Sequence, residues 1–103
     1  MQATGGAALR RRLRVTNPSG VHVRPATALA QTAARFESAV LITLGDRRAD
    51  GKSPLDLLML AAGLGAELEL EVRGHDADAA LEALVGLLTG SSWAEPVDGA
   101  TAG

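Results

Sequence analysis

The chain holds two histidines and no cysteine, so nucleophilic chemistry near neutral pH falls first to His22 and His75. His22 stands in SGVHVRPATA (19–28), with a guanidinium two residues on and Pro25 opening a run of small helix formers. A helix starting just past His22 leaves the N–H groups of Val23, Arg24 and Ala26 without partners inside the helix, and Pro25 has none to lose. Those donors, with the positive end of the helix dipole, attract an anion and repel a proton on the imidazole. The dipole alone disfavours imidazolium by ~0.3–1 kcal/mol, less than about one pKa unit. Arg24 acts in the same direction, so His22 is expected to be neutral and nucleophilic. A phosphoryl group placed on it would meet the helix start and Arg24, both favourable to its charge. Gly20 is expected to leave room for an approaching partner. A histidine here serves equally as a cap or a turn residue, and the local residues leave both readings open. His75, in RGHDAD, has no arginine in the following turn, and Asp76 and Asp78 carry the wrong sign for phosphate. It reads as a loop residue.

The elements that must hold His22 follow from hydrophobic period. Leu13 and Val15 alternate with arginines, a strand with one wet face. Past the turn Asn17-Pro18-Ser19-Gly20, the set Ala26, Leu29, Ala30, Ala33 and Phe36 has helical spacing. SAVLITLG (38–45) reads as a buried strand, Gly45-Asp46 as a hairpin turn and RRAD (47–50) as a short strand. Ser53-Pro54-Leu55-Asp56 combines a cap residue, a first-position proline and a first-turn acid, predicting a short helix to about Leu60. Glu67, Glu69 and Glu71 alternate with Leu68, Leu70 and Val72 in a further strand. Asp76 is expected to cap a last helix whose apolar face is Ala77, Ala80, Leu81, Leu84, Leu87 and Leu88. The order β-α-β-β-α-β-α predicts an α+β fold, an open-faced sandwich in which three helices cover one face of a four-stranded antiparallel sheet. Residues 1–8 and 90–103, rich in Gly, Ala, Ser and Thr, are expected to be disordered tails flanking one domain at 9–89. Trp93 falls in the second tail and reads as part of a mobile end, with docking back onto the domain as the alternative.

Composition removes several functions. The chain has 103 residues, a net charge of −2, one Phe, one Trp and no Tyr. No basic field or set of stacking aromatics is available for nucleic acid. The N-terminal MQATGGAALRRR lacks the apolar stretch of a signal peptide, and no window approaches a membrane span, so a cytoplasmic protein is expected. With Met1 in place, a free protein is expected rather than an excised domain.

The segment VTNPSGVHVRPATALAQTAARF resembles the active-site strand, loop and helix of the HPr family, histidine-containing phosphocarriers of the bacterial sugar phosphotransferase system. GKSPLDLLMLAAGLGAELEL resembles the family's second signature, and the separation of His22 from Ser53 is similar to the family spacing. The resemblance runs from about Arg12 to Leu88. It implies that His22 is phosphorylated on Nδ1 by Enzyme I, forming a pros-phosphohistidine, and passes the group to an Enzyme II A domain or related acceptor for sugar uptake. It implies further that Arg24 steadies the phosphoryl oxygens and Pro25 fixes the helix start. The backbone at Val23, Arg24 and Ala26, with Ser19 beside it, would bind phosphate. It implies no metal or organic cofactor and no catalyst in the strict sense, only a monomeric carrier consumed and regenerated stoichiometrically.

Ser53 reads as an N-cap. The resemblance adds a regulatory role, since the matching serine in many Gram-positive HPr proteins is phosphorylated by an HPr kinase/phosphorylase. Pro54 stiffens the segment a kinase must grip, and Asp56 would repel the phosphate. With little basic surface on the first helix beyond Arg24 and Arg35, docking is expected at Leu55, Leu58 and Met59, for which core packing is the competing role. The arginines at 10–12 and 14 read as solvated or edge-protecting. Two alternatives stay open: a carrier feeding a regulatory branch (nitrogen-type or dihydroxyacetone-kinase type), and a Ser53-dependent adaptor without phosphohistidine.

Overall fold

Alternation along the strands decides which face of the sheet is dry. The computed structural model describes residues 8–18, 20, 23–60 and 62–97. Along the chain these form β1 (Leu9–Val15), α1 (Val23–Ala33), β2 (Ala39–Leu44), β3 (Arg47–Asp50), α2 (Pro54–Leu60), β4 (Glu67–Arg73), α3 (Ala77–Gly90) and β5 (Ala94–Pro96). The sheet order is β3-β2-β4-β1-β5, antiparallel throughout. Leu13 pairs with Leu68, and Leu13, Val15, Leu68, Leu70, Val72, Val40 and Ile42 are all buried. Against them α1 places Pro25, Ala26, Leu29, Ala30 and Ala33, α2 Leu57 and Leu60, and α3 Ala77, Ala80, Leu81, Leu84 and Leu88. Phe36 and Leu87 pack on this core only half-buried. The expected open-faced sandwich, with three helices on one face, is the observed fold.

Among the described residues the sheet has five strands where four were expected, and the fifth comes from the stretch expected to be a tail. After α3 the chain reverses at Ser92, which takes a left-handed φ of 61°. Residues 94–96 then run antiparallel to β1, pairing Val15 with Ala94 and Leu13 with Pro96. Ala94 and Val97 are buried and Trp93 half-buried. A three-residue strand carries too little alternation to be read in advance, and its proline is tolerable because β5 is an edge.

With β5 outside it, β1 is not an edge, so its arginines do not protect one. Arg10, Arg12 and Arg14 instead meet glutamates across the open face. Arg12 Nη2 donates to Glu67 Oε1 at 2.9 Å, Arg14 Nη2 to Glu67 Oε2 at 3.2 Å, and Arg10 lies 3.7 Å from Glu71. Exposed pairs of this kind contribute only ~0.2–1 kcal/mol each. A one-residue slip would turn Leu13 outward and these arginines inward, so the ladder and the core specify one register.

Asp76 precedes α3 as expected but makes no side-chain cap on it. Its carboxylate accepts instead from the backbone N–H of Glu37 and of Ser38, both at 2.9 Å, and from the Ser38 hydroxyl. Ser38 is 1 % exposed, so this hydroxyl must be satisfied internally. Gly74 packs against the same residue, and a Cβ there would lie 2.7 Å from Ser38 Cα. His75 Nε2 adds an exposed pair with Glu37 Oε1 at 2.7 Å, and the hydrogen bond to Glu37, then the charge of Asp76, raise its pKa. Together these contacts join the α1–β2 and β4–α3 connections.

The Ser38 hydroxyl, followed by the Glu37 and Ser38 amides, lowers the Asp76 pKa from an ordinary 3.8 to about 2. A carboxyl depressed on folding stabilises the protein above its ordinary value, and that contribution is lost as pH falls through the folded value. Asp76→Asn is therefore expected to melt at a lower temperature than the native chain at neutral pH. The gap should narrow as pH drops from about 4 toward 2, and thermal melts across that range measure it.

Candidate functional site

The site loop leaves β1 between two supports. Val15 N–H donates to Ala66 O and Gly65 N–H donates to Val15 O, both at 2.8 Å, binding the strand end to the α2–β4 connection. On the other side Thr16 and Asn17 donate their N–H groups to Trp93 O at 2.9 and 3.3 Å. The chain then turns, with Gly20 N–H donating to Asn17 O at 2.8 Å. Gly20 is buried with φ +70°. A Cβ at this position would overlap Ala62 O and lie 3.0 Å from Gly63 Cα. Glycine is thus required by the chain's own α2–β4 connection, not by room for a partner as the sequence suggested.

His22 and Ser19 lie outside the described residues. The helix expected after His22 begins at Val23, so the N–H groups of Val23 and Arg24 precede any intrahelical acceptor and Pro25 has none. Ala26, expected to be a third open donor, is the fourth helical residue and the first whose N–H has an acceptor in the α-helical pattern. The first turn of α1 contains no acid. Arg24 is exposed on that turn, while Pro25 and Ala26 are buried, anchoring it to the core. Two open backbone donors, a helix dipole with no first-turn acid and an exposed guanidinium without a charged partner among the described residues give this end the electrostatics that favour an anion.

Ser53 caps α2 as expected: Asp56 N–H donates to its Oγ at 3.1 Å and Leu57 N–H to its carbonyl at 3.1 Å. Lys52 Nζ donates to Phe36 O at 2.8 Å, tying the start of α2 to the α1–β2 connection. Of the three suggested docking residues, Leu55 and Met59 are exposed and Leu58 is half-buried, because Leu57 and Leu60 take the inward positions of this single-sided helix. Leu64 is also exposed, between the two glycines 63 and 65 that meet the site loop. Sequence reasoning missed it, although an aliphatic residue between two glycines was a usable signal of an apolar side chain outside the core. His75 lies on the β4–α3 connection, as its loop assignment requires.

Gly20→Ala would force a side chain into a left-handed conformation, about 1–2 kcal/mol, and against a backbone oxygen that cannot move aside. The expected outcome is a loss of at least that much stability in denaturant titration, with the largest amide shifts at Ala62 and Gly63. Gly45→Ala, at a similar φ of 62° in open space, should cost only the conformational part.

A family model described as PTS HPr component phosphorylation site matches residues 9–89. The phosphocarrier protein HPr of Treponema pallidum is 44% identical over 72 residues, spanning 70% of this chain and 82% of that protein. The phosphocarrier protein NPr of Shewanella violacea is 41% identical over 80 residues, 78% of this chain and 88% of that protein. Among solved structures, the histidine-containing phosphocarrier protein of Mycoplasma superposes with a TM-score of 0.78 at 28% identity, covering 84% of this chain and 97% of that one.

Proposed function

Because the chain belongs to the HPr family of phosphotransferase-system phosphocarriers, we propose that it accepts a phosphoryl group on His22 from phospho-Enzyme I and passes it to an Enzyme II A domain in the cytoplasm for sugar uptake. The observation that carries this reading is the start of α1: open backbone donors, no acid in the first turn and Arg24 exposed there. In the transfer, the lone pair of His22 Nδ1 attacks phosphorus, and the P–N bond to the donor's histidine breaks with return of its electron pair. The new P–N bond is then broken by the acceptor's nucleophile, which regenerates free His22. The Arg24 guanidinium and the N–H groups of Val23 and Arg24 hold the equatorial oxygens as their charge redistributes, Pro25 keeps the helix start rigid, and Ser19 assists from the loop. Nothing is consumed but the phosphoryl group, so the protein is a carrier and not a catalyst. Leu55 and Met59, with the flank of Leu58, offer an apolar surface for both partners.

A nitrogen-type regulatory branch is the second reading, supported by the similarity to the Shewanella NPr. It uses the same chemistry with a different acceptor.

Incubation with phosphoenolpyruvate and a heterologous Enzyme I is expected to add one phosphate, visible in the intact mass and lost in acid. His22→Ala should take up none, and Ser53→Ala should label like the native chain. Arg24→Ala should slow labelling about ten- to a hundredfold, as a lost charge-assisted contact of ~1.5–3 kcal/mol implies. Acid-stable phosphate that survives His22→Ala would sink the reading and move attention to Ser53. Competition between sugar-type and nitrogen-type A domains for the labelled protein separates the two branches.

A further inference from the structure

The residues beyond the family match, which ends at 89, are built into the fold beside the site loop. We propose that residues 91–97 are a strap that positions this loop by clamping its first two residues, a role that rests on the phosphotransfer reading above. The Trp93 carbonyl accepts from Thr16 N–H and from Asn17 N–H, and the Ser92 carbonyl accepts from the Thr16 hydroxyl at 3.1 Å. Two consecutive carbonyls of the strap thus hold three donors at the point where β1 becomes the loop. The strap is fixed from both ends. Ser91, Ser92 and Trp93 donate their N–H groups to Leu87, Thr89 and Leu88 carbonyls at 3.2, 3.2 and 2.9 Å, wrapping the end of α3. Beyond the clamp, β5 pairs with β1, Val97 N–H donates to Arg12 O at 3.1 Å, Glu95 meets Arg14 at 3.4 Å, and Ala94 and Val97 are buried.

Ser92 at φ 61° is the one described non-glycine residue in the left-handed region. That conformation is disfavoured for serine and is held here by the contacts on either side. It turns the chain so that successive carbonyls face Thr16. The loop's far end is seated independently, by Gly20 against Ala62. Position along the loop is therefore set by two separate parts of the fold, the α2–β4 connection at Gly20 and the strap at Thr16 and Asn17. Removing the strap releases Thr16 and Asn17 while Val15 stays held by Gly65 and Ala66 and Gly20 by Ala62, so the loop loses its lateral support without the domain unfolding.

The test compares the full chain with a truncation after Gly90, with Thr16→Val, which keeps the shape but loses the hydroxyl, and with Thr16→Ser, which keeps the hydroxyl. Amide exchange is read at Thr16, Asn17 and Gly20. Initial rates of transfer from phospho-Enzyme I are read well below every variant's melting temperature, with final extent of labelling as a control. The expected result is loss of protection at Thr16 and Asn17 in the truncated chain, and a kcat/KM lowered about tenfold or more at unchanged final extent. Thr16→Val should lose about fivefold, the worth of one neutral hydrogen bond, and Thr16→Ser should match the native chain. Full transfer rates in both the truncated and Thr16→Val chains, with only the melting temperature reduced, would make the strap a structural addition and overturn the proposal. If the truncated chain fails to fold, the valine and serine pair decides alone. Absence of label in every chain removes the phosphocarrier reading and the kinetic half of this proposal with it. The clamp then stands on amide protection that disappears with the strap, and falls if exchange is unchanged.

Discussion

The dry face of β4 organises the molecule. This strand lies between β2 and β1, and its inward residues Leu68, Leu70 and Val72 are 3 % exposed or less. Its outward residues are charged, so the sheet can be covered on one side only, and the helices have a single face to occupy. An aliphatic core with one phenylalanine and one tryptophan in the whole chain has few anchors of large area, and is filled by many leucines, valines and alanines in close contact. Every rigid point around the site derives from that covering. Pro25 and Ala26 are buried because α1 lies on the sheet, and the α2–β4 connection is held where it is by the strand that follows it.

From this arrangement the site acquires a division of labour. The first turn of α1 supplies open donors and Arg24, which are properties of a helix end and need no pocket. What the rest of the fold adds is placement. Val15 is held by Gly65 and Ala66, Thr16 and Asn17 by Trp93, and Gly20 by Ala62 and Gly63. A carrier must present the same small surface to donor and acceptor in turn, so a loop seated at several points on a rigid body suits it better than an enclosed cavity. The nearby apolar side chains Leu55, Met59 and Leu64 stand outside the core for the geometric reason that a seven-residue helix and a tight glycine-flanked turn can turn only one side inward.

The connection between α1 and β2 is held by a different device. Asp76 looked like an ordinary helix cap, since an aspartate before an apolar periodic run is the usual signal. Its carboxylate reaches across to Glu37, Ser38 and the Ser38 hydroxyl because the β4–α3 turn, opened by Gly74, brings the two connections together. Only a residue distant in sequence could satisfy a buried serine there, and no local pattern carries that information.

Local chemistry was enough to determine the helices, four of the strands, the wet and dry faces of the sheet and the absence of an acid from the first turn of α1. Each depends on the period of apolar residues or on a cap, proline or missing acid within one turn. Tertiary structure alone decided that β5 flanks β1, that Trp93 holds the loop, that Gly20 is required by Ala62, and that Asp76 serves Ser38 rather than its own helix. These contacts join residues 38 to 83 positions apart. They arise from which surfaces the packed sheet and helices bring together, and neighbouring residues carry no trace of that choice.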